Sequence, residues 1–418
     1  MSENLITGDL LIVGAGIAGI TAAVEAADIG INVILIEKNE YIGGKVAQFN
    51  KYFPKLCPPS CGLEINLKRM RNNPLIKIYT LAELTNVIKE NDKYLVNIKL
   101  KPRYVNNRCT ACGDCVKVCP RLRKNKFNYN MDETTAIYIP YENAYPLKYI
   151  IDKENCSGVS CNECLDACKF NAIDLNDKEK IISVETNSII WAAGWEPYNA
   201  KNLDLLGYGK YDDVITNVMM ERLSAVDGPT KGQILRLSDG EKVNSVAFVQ
   251  CAGSRDENHL AYCSSVCCMA SLKQTQYIRE QNPGAEIHIH YIDVRTEGLL
   301  EDFYSGIQKD KNIHFHRGKI AKVTKDKSTN KIVVEAEDSL TGRKIYNSVD
   351  LVVLAAGMKP ASENLPLDKS LRDEDGFLKS NGDGFAGCGV ITRPKDVAST
   401  VREATGSILT VIQKIRRN

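Results

Sequence analysis

The sequence has almost no net charge and no long apolar run. Its 418 residues carry 54 Lys and Arg against 52 Asp and Glu, so nothing in the overall charge favours nucleic acid or anionic lipid. The longest apolar stretch, Leu10 to Val24, is interrupted by glycines and is too short to cross a bilayer. Residues 1–9 lack the basic segment and apolar core of a secretory signal. We therefore expect a cytoplasmic chain without a membrane span.

Cysteine, in contrast, is abundant. Of the 15 cysteines, ten lie between Cys57 and Cys168 and four more between Cys251 and Cys268. A disulfide framework is typical of short secreted chains, and this chain is neither short nor marked for export. Because cysteines that only fill a core would be scattered, the clustering predicts cofactor sites.

Residues 9–37 have the pattern of a dinucleotide-binding unit. A buried strand at 9–13 leads into Gly14-Ala15-Gly16-Ile17-Ala18-Gly19, followed by an Ala-rich helix to residue 29 and a second strand that ends at Glu37. Gly14 permits the tight turn, Gly16 lets the backbone approach a pyrophosphate, and Gly19 lets helix and strand pack closely. The phosphates are expected on the helix N-terminus, and the ribose hydroxyls on Glu37.

Three features favour FAD over NAD. The motif lies close to residue 1, Glu37-Lys38 is followed by Gly43-Gly44-Lys45, and Trp191-Ala192-Ala193-Gly194 ends a later strand. The second and third features resemble those of flavoproteins with two dinucleotide-binding domains, which implies an α/β, thioredoxin-reductase-like fold. Further expected cofactor contacts are Gln48, Gly357, Gly387, Cys388, Gly389 and Val397, although Cys388 is also interpreted as a small packing residue.

An internal duplication organises the chain. Strand patterns at 313–315, 320–323, 332–337 and 351–354 repeat the order of those at 76–80, 84–89, 94–100 and 181–192. The first copy is interrupted by residues 101–180, which are predicted to be an inserted α+β ferredoxin-like module. The predicted domains are 1–100 (FAD-binding domain, first part), 101–180 (two-cluster insertion), 181–242 (FAD-domain closure and linker), 243–350 (second nucleotide-binding-like domain) and 351–418 (FAD-domain C-terminal part).

The second nucleotide-binding half lacks a glycine loop. Its first strand, Ser245–Gln250, is followed by Cys251-Ala252-Gly253-Ser254-Arg255. The residues that would cradle a nicotinamide dinucleotide are missing, so NAD(P)H binding there is not expected.

Two cysteine runs in the insertion have ferredoxin-like spacing. Cys109-x2-Cys112-x2-Cys115-x3-Cys119-Pro120 follows the pattern fully, whereas Cys156-x4-Cys161-x2-Cys164-x3-Cys168 has a longer first gap and no proline. In two-cluster ferredoxins the fourth cysteine of each run ligates the other cluster. The expected ligand sets are therefore Cys109, Cys112, Cys115 and Cys168 for one [4Fe–4S] cluster, and Cys156, Cys161, Cys164 and Cys119 for the other. A zinc ribbon is the alternative.

Two further cysteine groups and two histidine pairs are less specific. Cys251-x11-Cys263-x3-Cys267-Cys268 suits either ligands of one cluster or buried thiols behind a helix. Cys57-Pro-Pro-Ser-Cys61 is interpreted as cluster ligands, a structural turn or a redox disulfide, in that order. His288 and His290, and His314 and His316, alternate along strands and are interpreted as edge histidines in preference to a metal site.

The segments Phe248–Asp256 and Tyr262–Cys268 resemble the A subunit of heterodisulfide reductase, as do Gly43–Gln48 and Ser399–Ala404. In that family the pattern holds a [4Fe–4S] cluster near the flavin, which makes Cys251, Cys263, Cys267 and Cys268 the expected ligands. The segment Asn50–Pro59 resembles the A subunit of the quinone-interacting membrane-bound oxidoreductase complex of sulfate reducers.

The resemblance implies an oxidoreductase subunit that contains FAD and [4Fe–4S] clusters. It would pass electrons between a quinone-linked membrane subunit and cytoplasmic adenylylsulfate reductase, with flavin-based bifurcation or confurcation as a hypothesis. The implied partners are these proteins and a second flavin and iron–sulfur subunit, which would hold the chain at the inner face of the cytoplasmic membrane. The alternative is an NAD(P)H-dependent flavin disulfide reductase.

Overall fold

The computed structural model describes residues 5–380 and 384–416. The described helices are α1 (Ile17–Asp28), α2 (Pro59–Arg71), α3 (Asp114–Val118), α4 (Glu163–Ala167), α5 (Asn217–Ser224), α6 (Cys267–Gln281), α7 (Leu300–Gln308) and α8 (Val397–Ile415). The described strands are β1 (Leu5–Val13), β2 (Val33–Glu37), β3 (Ile76–Thr80), β4 (Ala82–Glu90), β5 (Lys93–Leu100), β6 (Leu122–Lys124), β7 (Glu133–Thr135), β8 (Ile137–Tyr138), β9 (Ile150–Ile151), β10 (Lys180–Trp191), β11 (Trp195–Pro197), β12 (Val214–Thr216), β13 (Ser245–Ala252), β14 (Glu286–Tyr291), β15 (Ile313–Arg317), β16 (Ile320–Lys325), β17 (Ile332–Glu337), β18 (Lys344–Val349), β19 (Leu351–Ala356), β20 (Met358–Pro360) and β21 (Phe385–Gly387).

The described chain divides into two compact units. The first contains residues 5–195, 360–380, 384–393 and 397–416, and the second contains 196–359 and 394–396. The chain passes between them through β11 and β20, which pair with each other.

A seven-stranded sheet forms the centre of the first unit. Its order is β3-β2-β1-β10-β5-β4, and β21 pairs with the end of β10. Strands β1, β2 and β3 are parallel, whereas β5 runs antiparallel to β10. The inner strands are near-continuous runs of Leu, Ile and Val because both of their faces are buried. Leu10 and Ile12 share one core with α1 and α8, while Leu11 and Val13 contribute to a second core.

The second unit repeats this plan. Its parallel sheet has the order β12-β19-β13-β14-β15, and β16, β17 and β18 form an antiparallel meander. Strand β13 and helix α6 correspond to β1 and α1, and the meander corresponds to β4, β5 and the start of β10. The predicted repeat of strand patterns is therefore confirmed.

The predicted domain boundaries differ from the division in the structure. Residues 196–242 and 351–359 lie in the second unit, where β19 pairs with both β12 and β13. The sequence pattern assigns the strand Leu351–Ala356 to the last part of the FAD domain because it ends in Ala-Ala-Gly, like the strand that closes the first unit. The duplication explains the error, since each unit has such a strand.

The prediction of edge histidines holds for β15 but is wrong for β14, which lies between β13 and β15. Parallel pairing places His288 opposite His314 and His290 opposite His316. The rings of His290 and His316 stack with their centroids 4.9 Å apart. His290 is 1% exposed, and burial lowers its pKa to about 3, so its ring is neutral.

The segment at 101–180 belongs to the first unit and has a small core of its own. It contains α3, α4 and two short antiparallel pairs, β6 with β7 and β8 with β9. Its core includes Val105, Ile137, Ile151 and Ile173, with Cys115 buried among them.

Arg103 joins this segment to the central sheet through hydrogen bonds. Its side chain is 8% exposed and donates hydrogen bonds to the Glu40 carbonyl oxygen, to Thr80 Oγ1 at 3.0 Å and to the Lys148 carbonyl oxygen at 3.3 Å. Glu40 and Thr80 follow or end strands of the central sheet, whereas Lys148 belongs to the segment itself. One buried guanidinium thus joins the insertion to two strand ends.

We expect Arg103→Ala to loosen the insertion, because hydrogen bonds to a charged donor contribute about 2 kcal/mol and three partly buried acceptors lose their partner. Hydrogen exchange should increase over residues 101–180 while β1 and β10 stay protected. Arg108→Ala, an exposed arginine in the same segment, is the matched control and should leave the exchange pattern unchanged. Equal protection in the two variants would contradict the proposed fastening.

Candidate cofactor sites

The turn between β1 and α1 can be built only with glycine at two positions. Gly14 has φ +102°, and a Cβ there would lie 2.5 Å from the Ala192 carbonyl oxygen. A Cβ at Gly19 would lie 1.9 Å from the Gly14 carbonyl oxygen. The turn therefore brings β1, β10 and the start of α1 into direct contact, as the motif predicts.

A Cβ at Gly16 would meet no close protein atom. It caps α1 with φ −75°, and the nearest atom to a Cβ placed there would be Gly44 Cα at 3.8 Å. The first intrahelical acceptor is the Gly16 carbonyl, which binds Ile20 N, so the N–H groups of Ile17, Ala18 and Gly19 have no intrahelical acceptor. No acidic side chain lies in this first turn. The helix end suits an anion such as a pyrophosphate.

The Glu37 carboxylate accepts hydrogen bonds from neighbouring protein groups. Its buried carboxylate accepts hydrogen bonds from Ala15 N at 2.8 Å, Asn39 N at 2.9 Å and Asn39 Nδ2 at 2.8 Å. Burial raises the pKa of Glu37, and these bonds oppose the rise. Only one of these bonds reaches Oε2, so that oxygen has capacity for a further hydrogen bond, and the contact with a ribose hydroxyl stays a prediction. The neighbouring Lys38 is exposed.

The glycine pair Gly43-Gly44 packs against the first glycine motif. Gly43 N donates to the Ala15 carbonyl oxygen at 2.8 Å, and Gly43 forms a β-bridge with Gly16. A Cβ at Gly44 would lie 2.8 Å from Gly16 Cα. The two glycine motifs, distant in the predicted pattern, form one backbone surface.

Lys45 and Gln48 follow this pair and contact the insertion. The Gln48 side chain is buried, donates from Nε2 to the Phe127 carbonyl oxygen at 2.9 Å and accepts from Tyr129 Oη at 3.0 Å. Lys45 Nζ lies 5.7 Å from the centre of the Tyr129 ring. Gln48, predicted as a cofactor contact, is thus held by the insertion in this structure, which sequence spacing did not indicate.

The C-terminal residues meet the same turn. Cys388 is fully buried, and its N–H donates to the Trp191 carbonyl oxygen at 2.9 Å, which fits the packing interpretation. Gly389 has φ +78°, and a Cβ there would lie 2.9 Å from Ala18 Cβ. Glu403 on α8 accepts from Gly389 N at 2.6 Å and from Thr392 Oγ1 at 3.1 Å, a role that sequence reasoning missed.

The other predicted flavin contacts fall into two groups. Ala193 and Gly194 directly follow β10, Gly387 ends β21 and Val397 begins α8, all within the first unit. Gly357 lies in the second unit, where a Cβ would meet Ser254 Oγ at 2.3 Å and Ser264 Oγ at 3.0 Å. At this position the backbone packs against Ser254 and Ser264, which lie in the loop between β13 and α6.

The first cysteine set lines a partly open pocket in the insertion. Cys109, Cys112, Cys115 and Cys168 line it together with apolar side chains such as Ile137 and Ile173. These are the four cysteines that the crossed pattern places on one cluster. Burial, followed by the charges of Cys109 and Cys112, raises the pKa of Cys115 to about 12.

The second set also comes together. The pKa of Cys164 is raised to about 11 by burial and then by the charges of Cys156, Cys119 and Cys161, which lie close enough to act on it. The x4 gap forms a short 3-10 turn at Gly158–Ser160, so the extra residues loop out between two of the cysteines. Helix α3, which contains Cys115 of the first run, packs against α4, which contains Cys164 of the second.

The third set lies in the second unit, between the end of β13 and the start of α6. Cys251 lies at the end of the strand with φ +56°, and Cys267 and Cys268 open the helix. Burial raises the pKa of Cys267, and so do the charges of Cys268, Cys251 and Cys263. These four cysteines, which lie in the segments that resemble heterodisulfide reductase A subunits, are therefore close to one another in the structure.

The loop at 253–266 fills the place of a nucleotide-binding glycine turn. Ser254 Oγ and Ser264 Oγ are 2.9 Å apart, and Arg255 N donates to the Tyr262 carbonyl oxygen at 3.0 Å. A Cβ at Gly253 would lie 2.6 Å from the Tyr198 ring. The loop is packed on itself and leaves no bare helix start of the kind that Gly16 provides.

Iron–sulfur clusters fit the donor chemistry of the three sets better than a single ion does. Among the described residues, no three His, Cys, Asp or Glu side chains are arranged to bind one metal ion. A [4Fe–4S] cluster takes one thiolate per iron, so its ligands need not converge on one point. Burial and the charges of neighbouring cysteines raise the pKa of one thiol in each set (Cys115, Cys164 and Cys267), so a bound positive group would be needed to keep these thiols ionised.

Cys57 and Cys61 are free thiols beside Tyr52. Cys61 is exposed in the first turn of α2, Cys57 is partly buried, and the charges of both raise the pKa of Tyr52 after burial. Their role as ligands, turn or disulfide stays a prediction.

Comparison with known proteins places the chain among flavoproteins. The model of the FAD dependent oxidoreductase family matches residues 9–50, which contain both glycine motifs. Thioredoxin reductase from T. acidophilum superposes with a TM-score of 0.56 at 15% identity, covering 97% of this chain and 98% of that one. The Lactococcus lactis enzyme gives 0.54 at 15% identity over 98% and 100%. The predicted thioredoxin-reductase-like fold is confirmed by the solved structures, and the family model concerns the segment with the two glycine motifs.

The curated relatives are A subunits of heterodisulfide reductases. The chain is 39% identical over 416 residues to the iron-sulfur A subunit of CoB–CoM heterodisulfide reductase from Methanocaldococcus jannaschii, covering 95% of this chain and 63% of that protein. It is 36% identical over 417 residues to the A subunit of the H(2):CoB-CoM heterodisulfide, ferredoxin reductase of Methanothermobacter marburgensis, covering 95% and 62%. The chain thus spans about three fifths of the length of these relatives. Among the helices that the structure describes, none combines the length and apolar character needed to cross a bilayer.

We expect Gly16→Ala to fold normally but to bind FAD at least about tenfold more weakly, a loss of about 1.4 kcal/mol. Alanine can adopt φ −75°, and its Cβ meets no protein atom within 3.4 Å, so only a bound pyrophosphate would be displaced. Titration of the deflavinated protein with FAD and thermal unfolding measure the two effects. Gly306→Ala, in an open position on α7, is the control. Unchanged FAD affinity in Gly16→Ala would place the pyrophosphate elsewhere.

Proposed function

We propose, from the likeness to heterodisulfide reductase A subunits along nearly the whole chain, that this protein is an electron-transfer subunit with FAD and three [4Fe–4S] clusters. The observation that carries the proposal is the meeting of three separate sets of four cysteines in a chain that also has a dinucleotide-binding turn. A flavin interconverts two-electron and one-electron steps, and iron–sulfur clusters exchange single electrons.

For the flavin, the chain supplies a phosphate site and a closed backbone surface. The N–H groups at the start of α1 would bind the pyrophosphate, Glu37 Oε2 would accept a ribose hydroxyl, and Gly43-Gly44 and Gly387–Gly389 would line the cofactor. Glu403 holds the Gly389 backbone in place. These residues bind and orient the cofactor, and no acid or base of the chain is needed for electron transfer itself.

For the clusters, the chain supplies three groups of four cysteines. Cys109, Cys112 and Cys115 with Cys168 would hold the first, and Cys156, Cys161 and Cys164 with Cys119 the second. Cys251, Cys263, Cys267 and Cys268 would hold the third, at the positive end of α6. At the first set, apolar side chains such as Ile137 and Ile173 line the pocket beside the cysteines, and solvent exposure is one of the factors that set the reduction potential of a cluster.

We further propose that the protein works in a quinone-linked complex of the sulfate-reducer type. The support is the segment Asn50–Pro59, which resembles the A subunit of that complex. The partners would be a second flavin and iron–sulfur subunit, a membrane quinone-reactive subunit and adenylylsulfate reductase, at the inner face of the cytoplasmic membrane. Electrons would pass between quinol and adenylylsulfate reductase, with flavin-based bifurcation or confurcation as the hypothesis for their division. Reduction of the clusters by a quinol analogue in the isolated complex, and their reoxidation by adenylylsulfate reductase with its substrate, tests this assignment.

Three clusters predict about twelve iron atoms and as many acid-labile sulfides per FAD in protein purified without oxygen. Cys112→Ser and Cys161→Ser should each lower the count by about four, because each removes one ligand of a different set. Double replacement of Cys57 and Cys61 by serine tests whether that pair ligates iron, since only ligands change the count. An iron content near zero in the unaltered protein would defeat the proposal.

The rival function is an NAD(P)H-dependent flavin disulfide reductase, favoured by the likeness of the fold to thioredoxin reductases. The packed loop at 253–266 argues against it, because the second unit offers no glycine turn for a nicotinamide dinucleotide. We expect NADH and NADPH in anaerobic titration to leave the flavin absorbance unchanged, whereas dithionite bleaches it. Rapid bleaching by either nucleotide would support the rival.

A further inference from the structure

Two arginines and an aspartate form a chain of charges beside the third cysteine set. Arg255 Nη1 lies 2.5 Å from Asp293 Oδ1, and Arg295 Nε lies 3.4 Å from the same oxygen. Arg255 is about a quarter exposed, whereas Asp293 and Arg295 are about half exposed. All three belong to the second unit.

The segment that carries this chain of charges contacts the third cysteine set. Cys268 Sγ donates to the Asp293 carbonyl oxygen at 3.8 Å, so residue 293 lies against one of the four cysteines. Burial raises the pKa of Cys251 and of Cys268; the charge of Arg255 opposes the rise at Cys251, while at Cys268 the charge of Asp293 adds to it and that of Arg295 opposes it. The two arginines therefore act on the thiolates in one direction and Asp293 acts in the other.

Local structure fixes the position of Arg255. Its N–H donates to the Tyr262 carbonyl oxygen at 3.0 Å, and the residue has φ +56°. Loop 253–266 thereby holds Arg255 four residues after Cys251, which lies at the end of β13. The Asp293 carboxylate, from the segment after β14, holds the other side of the guanidinium.

We propose that Arg255 and Asp293 are a pair of positioning residues that set the reduction potential of the cluster held by Cys251, Cys263, Cys267 and Cys268. The proposal rests on the proposed function, since it requires that cluster. Reduction adds one electron to the cluster and neither forms nor breaks a bond. A positive charge and an N–H donor at a ligand sulfur stabilise the more negative reduced state and raise the potential, whereas a carboxylate lowers it.

The pair predicts shifts of opposite sign. Arg255→Gln removes the positive charge and should move the midpoint of the third cluster to a more negative potential. Arg255→Lys keeps the charge and should give a smaller shift. Asp293→Asn removes the negative charge and should move the midpoint to a more positive potential. If Arg255 and Asp293 only stabilised the loop, their replacements would not shift the midpoint potential in opposite directions.

Redox titration followed by electron paramagnetic resonance, on the full chain with its clusters, measures the midpoints. Arg279→Gln is the matched control, because Arg279 forms an equivalent pair with Asp310 near the other end of α6 and should leave the third midpoint unchanged. Shifts of equal sign in Arg255→Gln and Asp293→Asn, or no shift with the cluster retained, would overturn the inference.

Iron analysis separates this failure from failure of the proposed function. Unaltered protein with about eight iron atoms per FAD and no third signal would reject the third cluster itself, and the inference with it. Loss of the cluster in Arg255→Gln alone would leave Arg255→Lys and Asp293→Asn to decide the sign of the effect.

Discussion

The gathering of four cysteines at each of three places is the constraint on which the rest of the structure depends. In each of the three sets, burial and the charges of the other cysteines raise a pKa, to about 12 for Cys115 and about 11 for Cys164 and Cys251. Without a positive group, such sets are costly as anions and have no evident use as thiols. The proposed iron–sulfur cluster would supply this positive group, because each thiolate would bind its own iron. At the third set the charge of Arg255 also opposes the rise in the pKa of Cys251, and the start of α6 lies at Cys267 and Cys268.

Within the first unit, several contacts join the insertion at 101–180 to the loop that follows β2. Gln48 binds Phe127 and Tyr129, and Tyr41 packs edge-on against Phe127 with ring centroids 5.4 Å apart. Arg103 adds a third attachment, to the ends of two strands. The loop that follows β2 therefore contacts the expected flavin surface on one side and the cysteine-bearing segment on the other. For the proposed cofactors, attachments of this kind would keep the separation between the flavin and the clusters constant, whereas a flexible tether would not.

Local patterns in the sequence were enough to predict the βαβ unit, the repeated strands and the crossed cysteine sets. Each depends on residues a few positions apart or on a spacing with known geometry. Contacts between distant segments were missed, as for Glu403 with Gly389 and Arg255 with Asp293, because no spacing relates these residues. The boundary at 351 failed for a different reason: a duplicated strand has the same sequence features in both units, and only its pairing with β13 shows where it belongs.

The duplication also suggests how a nucleotide site becomes a cluster site. In both units a central strand leads into a helix whose first N–H groups lack intrahelical acceptors, at α1 in one and α6 in the other. Such a helix end favours negative charge, whether it belongs to a pyrophosphate or to thiolates. In the first unit Gly16 keeps the approach open. In the second unit the loop 253–266 closes it and brings Cys251 and Cys263 to Cys267 and Cys268. The electrostatic preference is the same in both, and the length and packing of one loop decide which anion it serves.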